Sequence, residues 1–155
     1  MEPVLAAEDV QQLIRSGLPQ AAGVVVESIT AGTARVRLPY DAHMLRPGGV
    51  ISGPTLMAAA DTAMYACVLG HVGPDLMAVT SDMTLHFLNK TEAGDVLAEA
   101  RLLKLGRRVI VLEVSVCDHR GRETVRVSGS YMRSSQVPSP VTSEGHKAST
   151  VNSAS

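Results

Sequence analysis

Residues Ile51 to Gly70 read I-S-G-P-T-L-M-A-A-A-D-T-A-M-Y-A-C-V-L-G, and the fold turns on what this stretch does. Gly53 suits a helix N-cap, and Pro54 suits the first helical position, where its fixed φ helps and its missing N–H costs nothing. Gly70 supplies the stop. Leu56, Ala60, Ala63 and Cys67 fall at helical spacing, while Met57, Met64, Val68 and Leu69 make the other faces apolar as well. A helix apolar nearly all round is a buried helix, so the rest of the chain must cover it.

One ionisable group interrupts the stretch: Asp61, flanked by Ala60 and Ala63, with only Thr62 and Tyr65 as polar neighbours. Burial disfavours the charged form of a carboxyl, and a group tuned that way suits a general base or a nucleophile. An Asp on a helix can equally accept hydrogen bonds from a neighbouring strand, or face solvent where the helix emerges. The helix alone leaves both readings open.

The chain around it has 155 residues, enough for one domain with a real core. Its 14 basic and 15 acidic residues leave a net charge of -1, so overall charge points to neither nucleic acid nor an anionic membrane surface. One phenylalanine, three tyrosines and no tryptophan offer little for base stacking. Cys67 and Cys117 have no metal-ligand spacing, and with no signal peptide or long apolar span the expected location is a reducing cytoplasm. No zinc spacing, P-loop or G-x-S-x-G motif occurs, so no metal or cofactor is expected.

Upstream of the quoted stretch, Pro3 to Ser16 is amphipathic and predicts a short surface helix. Ala22 to Ile29 and Thr33 to Leu38 predict two strands turning at Ala31-Gly32, and Pro39 to Val50 predicts a loop. Downstream, Leu76 to Leu88 alternates with period two: Met77, Val79, Ser81, Met83, Leu85 and Phe87 on one face, Ala78, Thr80, Asp82, Thr84 and His86 on the other. His86 thereby shares the face of Thr80. Val96 to Leu103, Ile110 to Cys117 and Thr124 to Met132 predict three more strands, the last two joined by a turn at Asp118-His119-Arg120-Gly121. From Ser134 onward Ser, Thr, Pro and Gly dominate, predicting a disordered tail over 134–155 behind a domain at 21–133 and an N-terminal segment at 1–20.

The expected fold class is α+β, a six-stranded antiparallel sheet around one long helix. Short turns force antiparallel neighbours, and a helix this apolar needs a curved sheet or a partner subunit over whatever the sheet leaves bare. The pattern resembles the hot-dog fold, in which two subunits join their sheets edge to edge. Within that fold the sequence is similar to acyl-CoA thioesterases of the phenylacetate-pathway (PaaI-like) type, which carry an H-G-G turn at the helix start and an Asp two turns on. Ser52-Gly53-Pro54 stands where H-G-G would, and Ala60-Asp61-Thr62-Ala63 matches the family's A-D-T-A in register. The run Ala78-Val79-Thr80-Ser81-Asp82-Met83 resembles the strand whose Ser or Thr, two residues before D-M, helps to place the attacking water. The likeness spans about Ala22 to Arg133. Three departures stand out: Ser52 replaces the turn histidine, Pro54 the second glycine, and Arg46 an Asn or Gln.

The resemblance implies hydrolysis of an acyl-CoA to free acid and coenzyme A, the coenzyme being part of the substrate, by a homodimer or a dimer of dimers. Asp61 would attack the carbonyl or activate water, the Gly53 N–H at the start of the same helix would hold the oxyanion, and Thr80 of the facing subunit would orient the water. Ser52, Arg46, Pro54, Thr62, Tyr65 and Ser81 would line the substrate. Lys104, Arg107 and Arg108 around Gly106, with Lys90 in another loop, would meet the phosphates, although a charged turn can equally be a solvated one. A non-catalytic acyl-CoA-binding protein is the alternative that the S-G-P turn leaves standing. A hydratase of this fold pairs its Asp with a His on the same segment, whereas the next histidine here is His71, beyond the expected helix stop.

Overall fold

The computed structural model describes residues 1–135; of the expected disordered tail, residues 136–155 lie outside the described part. Helix α1 (Ala7–Gly17) is followed by strands β1 (Val25–Thr30) and β2 (Thr33–Leu38), helix α2 (Gly53–Val72), and strands β5 (Val79–Phe87), β6 (Val96–Leu105), β7 (Val109–Cys117) and β8 (Glu123–Met132). Between β2 and α2, the expected loop contains a short 3-10 turn and a two-residue hairpin of β3 (Leu45–Arg46) and β4 (Val50–Ile51). The six long strands form one antiparallel sheet in the order β1-β2-β6-β7-β8-β5. Helix α2 packs against it, and the core is the inward face of β2, β6, β7 and β8 closed by Ala60, Ala63, Met64, Cys67 and Val68. This is the α+β hot-dog arrangement. No described helix is long and apolar enough to cross a membrane.

The ends of α2 differ from the sequence expectation. Ser52 is the N-cap, its extended backbone (φ -71°, ψ 150°) leaving the hydroxyl to accept from the Thr55 N–H at 3.4 Å, so Gly53 becomes the first helical residue and Pro54 the second. A serine oxygen satisfies an orphan amide that a glycine cannot. The helix also runs through Gly70 and stops at Gly73, whose φ of 96° suits a residue without Cβ and whose N–H closes on the Leu69 carbonyl. Gly70 has a packing role instead: a Cβ there would come within 2.7 Å of Ile29 Cγ2 on β1.

His71 falls inside the helix and is buried. Its Nε2 accepts the Gly32 N–H at 2.9 Å and its Nδ1 lies 2.7 Å from the Cys67 carbonyl, so the ring ties the β1–β2 turn to the helix and takes no part in a site. The surface of α2 is also less uniformly covered than expected. Pro54, Met57 and Ala58 are exposed and Asp61 is half-buried, a stripe at helical spacing that the chain's own sheet leaves largely uncovered.

Glycine 129 on β8 lets helix and sheet approach closely, since a Cβ there would sit 2.9 Å from both the Asp82 carbonyl oxygen on β5 and Met64 Sδ on α2. Gly129→Ala is therefore expected to cost about 1–3 kcal/mol, read as a lower denaturant midpoint at unchanged slope. An unchanged midpoint would show that the helix has room to spare.

Candidate active site

Strand β5 sits at the sheet edge and brings the first polar side chain to Asp61. A bulge between Thr80 and Asp82 absorbs Ser81 and shifts the alternation, so Thr80 pairs with Tyr131 while Asp82 pairs with Ser130 and Met83 with Gly129. Thr80 thereby faces the helix together with Met83 and Leu85, and its hydroxyl donates to Asp61 Oδ1 at 2.6 Å. This corrects two expectations. Thr80 reaches the carboxylate of its own chain, not that of a facing subunit. His86, two residues beyond Thr84, pairs with Arg126 on the outer face and is turned away from Thr80 by the same bulge.

The second donor is Tyr131, which the sequence analysis did not single out for the site. Its hydroxyl donates to Asp61 Oδ1 at 2.7 Å and lies 3.2 Å from the Asp61 carbonyl. Its ring stacks on Tyr65 with centroids 6.1 Å apart and planes 17° off parallel. Tyr65 is anchored in turn, its hydroxyl donating to the Leu76 carbonyl at 3.1 Å. The signal available in the sequence was the inward face of the last strand, Val125, Val127, Gly129 and Tyr131, whose one hydroxyl belongs to Tyr131.

Asp61, Tyr65, Thr80 and Tyr131 line a cleft of about 260 Å³ that is walled by Leu18, Leu76 and Val79. Among the described residues nothing donates to Asp61 Oδ2, and no Lys, Arg or His forms an ion pair with the carboxylate. Burial, with the Asp61 charge second, pushes the Tyr131 phenol well above its ordinary range, so it stays a donor. The one thiol in the central helix is unsuited to nucleophilic work: burial pushes Cys67 up to about 12.

A second cleft, of about 480 Å³, opens at the other end of the helix's exposed side and contains Arg46, Gly53, Leu56, Phe87 and Lys90. Here the Gly53 N–H is the one donor of the first turn without a partner among the described residues: Pro54 has no N–H, the Thr55 N–H goes to Ser52 Oγ and the Leu56 N–H to the Ser52 carbonyl. Arg107 and Arg108 lie elsewhere, at the β6–β7 hairpin, in a third cleft shared with Arg133.

The expected site residues therefore separate. Asp61, Thr80 and Tyr65 come together; Gly53 and Arg46 form a second group that Lys90 joins; Arg107 and Arg108 form a third, which Arg133 completes. Lys104 is exposed on β6 outside that third cleft, Pro54 is exposed at the helix mouth, and Ser81 is taken up by the bulge. Ser52 is spent as the helix cap, with its hydroxyl 2.8 Å from that of Thr55. Thr62 is buried and its hydroxyl donates to the Ala58 carbonyl one turn back, which removes it from the substrate side.

Comparison with known proteins agrees with this architecture. The model of the thioesterase superfamily matches residues 48–125, from just before α2 into β8. A candidate esterase of Saccharolobus solfataricus is 31% identical over 108 residues, 70% of this chain and 76% of the relative. The solved structure of a candidate thioesterase from Silicibacter sp. TM1040 superposes with a TM-score of 0.77 at 34% identity, covering 85% of this chain and 94% of that one. The E. coli PaaI protein from the phenylacetic acid degradation operon gives 0.67 at 25% identity over 83% of this chain and 95% of its own. With sheet order, central helix and sequence all in agreement, this chain belongs to the thioesterase superfamily.

Proposed function

We propose that the protein hydrolyses an acyl-CoA thioester to the free acid and coenzyme A, with Asp61 as the reacting carboxylate. The observation that carries this reading is the carboxylate itself: one oxygen is held by two hydroxyls, and the other, beside a cleft, has no partner among the described residues. Water positioned by Oδ2 attacks the thioester carbon and gives its proton to Asp61. The carbonyl oxygen becomes an oxyanion held by a backbone N–H, the C–S bond then breaks, and the departing thiolate takes the proton back as the free thiol. Direct attack by Oδ2 would instead form an acyl-aspartyl anhydride that water opens. Label in Asp61 after a single turnover in H₂¹⁸O identifies the anhydride route, because only water attack on the aspartyl carbon of that intermediate places it there.

The oxyanion donor belongs to a second copy in this reading. Gly53 and Asp61 are eight residues apart on one helix, a rise of roughly 12 Å, whereas a reacting carbonyl needs its donor within about 3 Å. Strand β5 supplies the way across. It is an edge strand with Val79 and Phe87 exposed at its two ends, Gly53 lies against the Phe87 ring, and Thr80 is bonded to Asp61. Antiparallel pairing of two β5 strands about Met83 sets the Phe87 end of one chain against the Val79 end of the other. The Gly53 amide of one protomer then faces the Asp61 carboxylate of its partner, and each dimer carries two sites.

Coenzyme A phosphates fit the cleft of Arg107, Arg108 and Arg133, three guanidinium groups with no carboxylate partner among the described residues. Replacing Arg107 and Arg108 together by alanine is expected to raise KM several-fold with kcat kept, an effect that added salt reproduces in the wild type. An unchanged KM removes the arginines from the site.

The single free amide at the S-G-P turn favours a second reading, a protein that binds acyl-CoA without turning it over. Thiol release from acetyl-, hexanoyl-, phenylacetyl- and palmitoyl-CoA decides between them. Turnover of any of the four supports the hydrolase, and tight binding without thiol release supports the binding protein.

A further inference from the structure

We infer that Tyr131 is a positioning residue for the reacting carboxylate, fixing Asp61 so that Oδ2 alone is presented to the thioester. This rests on the hydrolase reading above and adds to it a residue and an assignment of which oxygen reacts.

A buried tyrosine needs some acceptor for its hydroxyl, and the Asp61 carbonyl at 3.2 Å would satisfy that need by itself. The shorter bond, however, goes to the side-chain oxygen at 2.7 Å. Thr80 donates to the same oxygen from the register partner of Tyr131 on the neighbouring strand. Two donors from two strands thus converge on Oδ1. Turning the carboxylate by half a revolution would exchange its oxygens only through an orientation in which both bonds are broken. The tyrosine is itself held: the residue is 3% exposed, its ring stacks on Tyr65, and Gly129 two residues earlier allows strand and helix to come this close. Since the bulge at Ser81 is what turns Thr80 inward, the arrangement depends on a local departure from regular strand geometry on β5 as well as on β8.

The groups facing the carboxylate are few. From β5 it meets Thr80, from β8 Tyr131, and within α2 Tyr65 lies one turn on; a further charge, that of Asp75, acts on Tyr65. With no cation in the set, the two hydroxyls are the stabilisers of the ionised form. Removing either loosens the hold on Oδ1 and frees it to compete with Oδ2.

The test is Tyr131→Phe, which keeps the ring, its volume and its stacking on Tyr65. Two measurements are made. With the best-hydrolysed of the four thioesters, kcat is expected to fall about 10-fold or more with KM within about 2-fold, a split that a merely structural role would not produce. Independently of turnover, carboxyl ¹³C NMR of aspartate-labelled protein at one fixed pH, with the Asp61 signal assigned through Asp61→Asn, is expected to show that signal moved from its wild-type chemical shift, because the hydrogen bond from Tyr131 to Oδ1 is gone. Thr80→Val combined with Tyr131→Phe should depart from additivity, because both hydroxyls act on one oxygen. A Tyr131→Phe protein with wild-type kcat and an unmoved Asp61 carboxyl signal overturns the inference while leaving the hydrolase reading intact. A wild type that hydrolyses none of the four thioesters overturns the hydrolase reading, and the positioning claim with it.

Discussion

Asp61→Asn is expected to lower kcat/KM for thioester hydrolysis by about 10³-fold while leaving fold and ligand binding in place. The substitution is unusually clean here. An asparagine carbonyl still accepts from Thr80 and Tyr131, as Oδ1 does at 2.6 and 2.7 Å, so the side chain keeps its orientation and the strands keep their partner. What changes is the other position. The oxygen with no hydrogen-bond partner becomes an NH₂ that can neither take a proton from water nor attack a carbonyl. Thiol release measures the loss, and titration with a non-hydrolysable thioether analogue of the best substrate measures binding. If Asp61→Asn kept more than a tenth of wild-type kcat, the reacting group would have to be sought elsewhere. If binding were lost as well, the carboxylate would be a recognition group and not a chemical one.

Much of this site was readable before any coordinate. A lone Asp in an otherwise apolar helix stands out because burying charge is costly, and the alternation of Ile110, Leu112, Val114 and Val116 on β7 matches their burial. What the sequence hid was local geometry. The bulge at Ser81 leaves no mark on composition, since the apolar and polar residues of that strand alternate through it, and so His86 and Thr80 seemed to share a face that the bulge divides. Gly70 and Gly73 look alike as helix stops. Only the approach of Ile29 to one, and the positive φ of the other, show that the first is a packing contact and the second the terminus. Tyr131 was missed for a related reason: its role depends on register across β5 and β8, and register is a long-range property that no single stretch encodes.

The proposed arrangement of two half-sites makes a stronger prediction than either residue alone. Gly53→Pro removes the free amide of the first turn, and it also places a Cβ ahead of Pro54, where the helical conformation is less favourable than for glycine. Proline is favoured at the first helical position, Ser52 already has the extended backbone that a following proline requires, and a Cβ at position 53 meets only the Phe87 ring at 3.7 Å. Loss of an oxyanion donor is expected to lower kcat by about 10²–10³-fold. A dimer with Asp61→Asn in one chain and Gly53→Pro in the other, isolated through two different affinity tags, should then regain activity. One of its two sites joins the mutant residues of both chains, and the other joins the intact Asp61 of one chain to the intact Gly53 of its partner. Such a mixed dimer is expected to show about half of the wild-type kcat per dimer, although each homodimer is nearly inactive. Were the carboxylate and the amide to act within one chain, every site in the mixed dimer would contain a defect and no activity would return. Recovery near one half also argues against a purely structural effect of either substitution, since a misfolded protomer would not complete its partner's site.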